Sequence, residues 1–165
     1  MPRPPDEAEV SRLPATTAGR STFRPSLPDP KSGTRARPRT GTVLFVDDNP
    51  DELDLYRQHL ELAGFQVEVV TNGEEALAVT SLLLPHVIVM DLMMPVIDGF
   101  EATRRLKRDP RTEHIPIIVL TGHVHDGSSA AARNAGCALQ LWKPCRTDDL
   151  LKAIDSVIVP DRSRH

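Results

Sequence analysis

The sequence predicts an α/β protein of the flavodoxin-like, doubly wound type: a five-stranded parallel sheet in the order 2-1-3-4-5, with five helices. Three observations predict it. Short apolar runs alternate with amphipathic segments five times between residues 41 and 160, which is the pattern of repeated βα units. Two of the runs, HVIVM (86–90) and IPIIVL (115–120), are apolar without alternation, as strands buried on both faces are. Polar residues stand directly after the runs, at the carboxyl ends where such sheets build their sites. Right-handed crossovers leave few other topologies.

Each element has its own signal. TVLFV (42–46) is a β-branched apolar run that stops at Asp47. Asn49 is then a helix N-cap, with Pro50 in the first helical position and acids in the first turn. Leu53, Tyr56, Leu60 and Ala63 recur at helical spacing, and Gly64 ends that helix. QVEVV (66–70) alternates as a strand. Asn72 and Gly73 lead a second helix with Ala76, Leu77, Thr80 and Leu83 on one face, stopped by Pro85. The third strand is 86–90. A third helix covers about 100–107 and stops at Asp109-Pro110. The fourth strand is 115–120, and an Ala-rich helix at 128–135 closes on Gly136. ALQLW (138–142) is the fifth strand. Thr147 caps a last helix whose apolar face is Leu150, Leu151, Ile154 and Val157.

Composition sets the outer limits. The chain has 165 residues, 39% apolar and 26% charged, but only 4% aromatic, so its core is aliphatic. Its 20 basic and 23 acidic residues give a net charge of −3, which argues against a basic nucleic-acid binder. Two cysteines, Cys137 and Cys145, are too few for a disulfide scaffold, lack metal-ligand spacing and are expected to be unreactive. The first ten residues have no apolar core of a secretory signal, and no stretch reaches the ~20 apolar residues a membrane span needs. A soluble cytoplasmic protein without membrane insertion is expected.

Residues 1–40 differ from the rest. They hold eight of the 15 prolines, and eight Lys/Arg against four Asp/Glu, for a charge of +4; the remainder carries −7. Such a Pro/Arg-rich segment buries too little apolar surface to offset its ordering entropy. It is expected to be a disordered, solvated tail, with Arg35, Arg37 and Arg39 as its basic cluster. Residues 41–160 form the folded domain and 161–165 a short C-terminal tail. With so little chain after the last helix, no DNA-binding domain is expected to follow, and the acidic folded part argues against direct nucleic-acid contact.

The strand ends carry the chemistry. The first strand ends in Asp47-Asp48, the third in Asp91, the fourth in Thr121-Gly122 and the fifth in Lys143-Pro144. Strands 1 and 3 are neighbours in the expected order, so three carboxylates converge. Three like charges at one point are costly without a cation. Hard oxygen ligands suit Mg²⁺, which keeps several waters and shares its shell with phosphates. Lys143 and the Thr121 hydroxyl add an ammonium and a donor on the far flank, outlining a phosphoryl pocket. Asp91 is placed as a nucleophile towards phosphorus and Asp47 and Asp48 as holders of the metal. Taken singly, each motif is an ordinary turn or strand exit; the weight lies in finding all four at four strand ends.

The motifs VLFVDDNPDEL, VIVMDLMMPVIDGFE, IPIIVLTG and LWKPC resemble the receiver domain of two-component response regulators, over about residues 42–159. The resemblance implies a single-domain response regulator in a phosphorelay. Asp91 would accept phosphate from a phosphohistidine on a sensor histidine kinase or histidine phosphotransfer protein, and an unknown downstream protein would read the result. It further implies that Asp48, Asp91 and the backbone carbonyl of Met93 bind Mg²⁺ directly, with Asp47 acting through water. Thr121 would swing towards the phosphate and Lys143 would pair with it. Pro95 and Asp98-Gly99 would shape the loop after the third strand, and Lys143-Pro144 would be cis. One departure stands out: Gln140 occupies the position, three before the Lys, where the family has Tyr or Phe, and Cys145 replaces another common aromatic.

Other residues receive structural readings. Trp142 is expected to pack in the core, Met94 likewise, and Met93 to rim the site. His123 and His125 are expected to be exposed loop residues, His123 also standing where the family tunes dephosphorylation. Two rival functions remain open. One is a binding module that is never phosphorylated, either a degenerate receiver or a flavin carrier, although the acidic set is intact and Asp47-Asp48 would repel a flavin phosphate. The other is a hydrolase with an aspartyl intermediate; it would need an acid at position 93, where Met stands.

Overall fold

A computed structural model describes residues 39–122 and 127–158. The expected tail structure of residues 1–38, the C-terminal tail, and His123 and His125 lie outside the described residues. The chain alternates strand and helix five times: β1 (Thr42–Val46), α1 (Pro50–Leu62), β2 (Gln66–Val70), α2 (Gly73–Leu83), β3 (Val87–Met90), α3 (Gly99–Arg108), β4 (Ile117–Thr121), α4 (Ser128–Ala135), β5 (Leu139–Trp142) and α5 (Thr147–Val157). All strands pair in parallel, in the order β2-β1-β3-β4-β5. This is the expected doubly wound sheet.

Alternation of side chains sends each central strand's residues to two aliphatic layers. Val43 and Phe45 of β1, Val87 and Val89 of β3, and Ile118 and Leu120 of β4 face Leu53, Tyr56 and Leu60 of α1 and Leu150 and Ile154 of α5. Leu44, Val46, Ile88, Met90 and Ile117 face Ala76 of α2 and Ala102 and Leu106 of α3. Val119 packs with Leu92 and Ala132 of α4. All four residues of β3 are fully buried, which explains its unbroken apolar run. Each such side chain contributes on the order of 1.5–3 kcal/mol. Phe45 and Tyr56 stack with ring centroids 5.2 Å apart, and the Tyr56 hydroxyl donates to the Cys145 carbonyl at 3.1 Å. That bond ties α1 to the segment after β5.

The caps follow the sequence. Asn49 Oδ1 accepts from the Asp51 N–H at 3.1 Å, and Asn72 Oδ1 from the Glu75 N–H at 2.9 Å. The last helix differs: Arg146, not Thr147, is the N-cap, and Thr147 is the first helical residue. Strand limits shift slightly as well. His86 is exposed and precedes β3, while Ile115 and Pro116 precede β4, which runs on to Thr121. Leu83 is exposed rather than on the packed face of α2, because Gly73, Ala76 and Thr80 fill the contact. Trp142 is not a core residue; it is 39% exposed. β5 is an edge strand, and the indole lies on the face opposite Leu141, which packs against the α1/α5 layer. Met94 is buried, as expected. Arg39, read with the tail, grips the Asp155 carboxylate of α5 with Nε at 2.9 Å from both oxygens.

Candidate functional site

Three strand ends deliver the carboxylates. Asp47 leaves β1 with its N–H still bonded to the Val70 carbonyl of β2, at 3.2 Å. Asp91 leaves β3 with its N–H bonded to the Val46 carbonyl of β1, at 2.9 Å. The parallel register therefore sets the two acids side by side. Carboxylate oxygens of Asp47, Asp48 and Asp91 lie within 4.8 Å of one another. Asp47 and Asp91 are buried, while Asp48 is exposed and opens the group to solvent. Asp47 Oδ1 accepts from the Asn49 N–H at 2.9 Å, and Asp91 Oδ1 from the Met93 N–H at 3.2 Å. Each buried acid is thus oriented by the turn that follows it.

Lys143 closes the site. Its backbone N–H donates to the Thr121 carbonyl at 2.9 Å, so the ends of β4 and β5 meet. The Lys143-Pro144 peptide is cis. The ammonium does not stand off on a far flank, as the sequence suggested. It lies among the acids, 2.5 Å from Asp47 Oδ2, 2.6 Å from Glu52 Oε2 and 3.6 Å from Asp91 Oδ2. The reason is charge: an ammonium is a strong partner for buried carboxylates. Thr121 is fully buried at the end of β4. Met93 is half-exposed at the rim.

Glu52 is the residue that sequence reasoning missed. It stands in the first turn of α1, where an acid reads simply as a favourable helix-terminal charge. Its position four residues after Asp48, within the first turn of the helix, was the available signal. Asn49 Nδ2 donates to Glu52 Oε1 at 3.2 Å and holds it towards the strand ends.

The electrostatics follow from burial. Burial pushes the Asp91 carboxyl above the ordinary carboxylate range; Asp47 and Asp48 add to this, and Lys143 and the Met93 N–H oppose it. Burial by itself would lower the Lys143 ammonium, but the hydrogen bonds to Asp47 and Glu52 and the charge of Asp91 outweigh it and hold it above the usual lysine range. Cys137 and Cys145 thiols are both pushed up by burial, in keeping with unreactive side chains. The clustered oxygens, with no His or Cys among them, fit a hard divalent cation.

The chain is similar to several known proteins. The family model for the response regulator receiver domain matches residues 43–155. The chain is 35% identical to protein PilH of Pseudomonas aeruginosa, covering 70% of this chain and 96% of PilH. It is 32% identical to the polar-differentiation response regulator DivK of Brucella anthropi, covering 71% of this chain and 95% of DivK. Among solved structures, the chemotaxis response regulator CheY4 of Vibrio cholerae superposes with a TM-score of 0.68 at 30% identity, over 72% of this chain and 99% of that one. The receiver domain of the sensor histidine kinase PA1611 of Pseudomonas aeruginosa has a TM-score of 0.68 at 28% identity, over 73% of this chain and 98% of that one; its structure holds a magnesium ion in the active-site cleft.

Proposed function

Because the chain belongs to the response regulator receiver domain family, we propose that it is a phosphorylation-dependent switch in which Asp91 is the phosphoacceptor. The observation that carries this reading is the meeting of Asp47, Asp48, Asp91 and Lys143 at the carboxyl ends of the strands. One Asp91 oxygen attacks the phosphorus of a phosphohistidine on a sensor kinase or phosphotransfer protein. The P–N bond breaks, and the imidazole leaves with the electron pair. Such transfer depends on positioning and charge neutralisation rather than on covalent activation.

The residues divide the work. Asp48, Asp91 and the Met93 carbonyl would hold Mg²⁺, with Asp47 acting behind them. When bound, Mg²⁺ would neutralise the charge that carboxylates and phosphoryl group share. The Met93 N–H orients the Asp91 carboxylate. Lys143 stands ready to pair with a phosphoryl oxygen, and Thr121 to donate a hydrogen bond to it. Met93 cannot donate a proton, which weighs against a phosphatase and for a regulatory protein. Output passes to a protein partner in the cytoplasm. No described helix is long and apolar enough to cross a membrane.

The test is intact-mass analysis after incubation with a small phosphodonor and Mg²⁺. Wild type acquires one phosphate, and Asp91→Asn acquires none. An adduct that persists in the variant removes Asp91 from its role.

A further inference from the structure

We propose that Glu52 is a positioning residue: it holds the Lys143 ammonium against itself and Asp47 in the unphosphorylated protein and competes for it with a phosphoryl group on Asp91. This rests on the reading of Asp91 as the acceptor.

Lys143 has three N–H donors. Two reach carboxylates, Asp47 at 2.5 Å and Glu52 at 2.6 Å. The third carboxylate, Asp91, lies at 3.6 Å, beyond hydrogen-bond length. A phosphoryl group on Asp91 would draw the ammonium towards itself, in competition with its two short contacts.

Burial decides which contact yields. The Asp47 side chain is 1% exposed, and its other oxygen is already committed to the Asn49 N–H. Stripping the ammonium from it would strand a buried charge. The Glu52 side chain is 33% exposed, so water can replace the ammonium at little cost. Glu52 is also fixed rather than loose. Asn49 holds its other oxygen, and α1 beneath it is anchored by buried Leu53 and Tyr56. The Tyr56 bond to the Cys145 carbonyl locks that helix to the segment carrying Lys143. The latch therefore joins two elements whose spacing is set by the core.

The test compares full-length wild type with Glu52→Gln and Glu52→Asp. Beryllofluoride, a phosphoryl mimic, is titrated in saturating Mg²⁺ while Trp142 fluorescence is followed. Phosphorylation rates with a small phosphodonor are read by intact mass. Glu52→Gln keeps the size and the Asn49 contact but loses the charge. It should bind beryllofluoride roughly two- to fivefold more tightly and take up phosphate faster by a similar factor. Glu52→Asp keeps the charge but falls one methylene short of Lys143, and it should shift in the same direction. If Glu52→Asp instead matches wild type while Glu52→Gln differs, Glu52 acts only as a diffuse charge and the positioning role is overturned. If both variants match wild type, the latch is overturned outright. If wild type itself shows no Mg²⁺-dependent beryllofluoride binding, the receiver reading falls, and this inference with it.

Discussion

Val96 holds a left-handed backbone, φ 71°, in the loop between Asp91 and α3. A β-branched residue there is strained, because its Cβ crowds the following carbonyl at a cost of about 1–2 kcal/mol. The side chain is 77% exposed, so packing does not repay the strain. Val96→Asn, which tolerates this conformation, should raise stability by about 1 kcal/mol in urea denaturation; unchanged or lower stability would show the loop relaxed around valine. Gln140 shows another residue-scale conflict. Its Nε2 is buried without a hydrogen-bond partner among the described residues.

The junction between the β3 end and α3 is tight. Gly99 opens α3 against the chain leaving β3, and a Cβ there would fall 2.2 Å from the Asp91 carbonyl oxygen and 2.8 Å from Leu92 Cα. Both neighbours are backbone and cannot give way. Gly99→Ala should therefore cost about 3 kcal/mol, at the upper end for overpacking, and weaken the stabilisation by Mg²⁺ as Asp91 is displaced. Urea melts with and without Mg²⁺ read both effects. The Asp98 side chain caps the same helix by accepting from the Glu101 N–H at 2.8 Å. The Asp98-Gly99 pair thus serves the helix start and the close approach together, while Glu101 goes on to pair with Arg104 and Arg105 along the outer face.

Across the whole molecule, the site trades stability for function. Three carboxylates within 4.8 Å are offset by one ammonium. Asp91 holds its proton to a higher pH in the folded protein than in the unfolded chain, because burial and its acidic neighbours disfavour the charge. Without a divalent cation, the Asp91 contribution to stability should therefore fall as pH rises from the ordinary Asp value of 3.8 through the raised one, since this group holds its proton longer in the native state. Asp91→Asn should abolish that part of the slope and be more stable than wild type at neutral pH. Lys143 works in the other direction of charge. Its stabilising pairs are fully present below the ordinary lysine value of 10.5 and are lost only in more alkaline solution. Adding Mg²⁺ at about 100 times its dissociation constant should stabilise wild type at pH 7 by about 2.7 kcal/mol and leave Asp48→Asn nearly unchanged. Thermal melts across pH and Mg²⁺ concentration check these expectations; a cation-free wild type whose pH slope from 4 to 7 matches that of Asp91→Asn would contradict the raised Asp91.

The amino-acid sequence by itself determined the elements, their order and the doubly wound sheet. Caps such as Asn49 and Asn72, breakers such as Gly64 and Pro85, and the unbroken run of β3 act within a few residues, so they are readable along the chain. It also put Asp47, Asp48, Asp91 and Lys143 at strand ends. Only the tertiary structure decided that Lys143 sits among the acids, that Glu52 shares it, and that Trp142 faces outward. Those outcomes depend on which side chains meet across β1, β3, β5 and α1, segments up to 96 residues apart, and on which strand ends the sheet. Local periodicity carries no information about either, because a long side chain's partner is chosen by burial and charge after the core has packed.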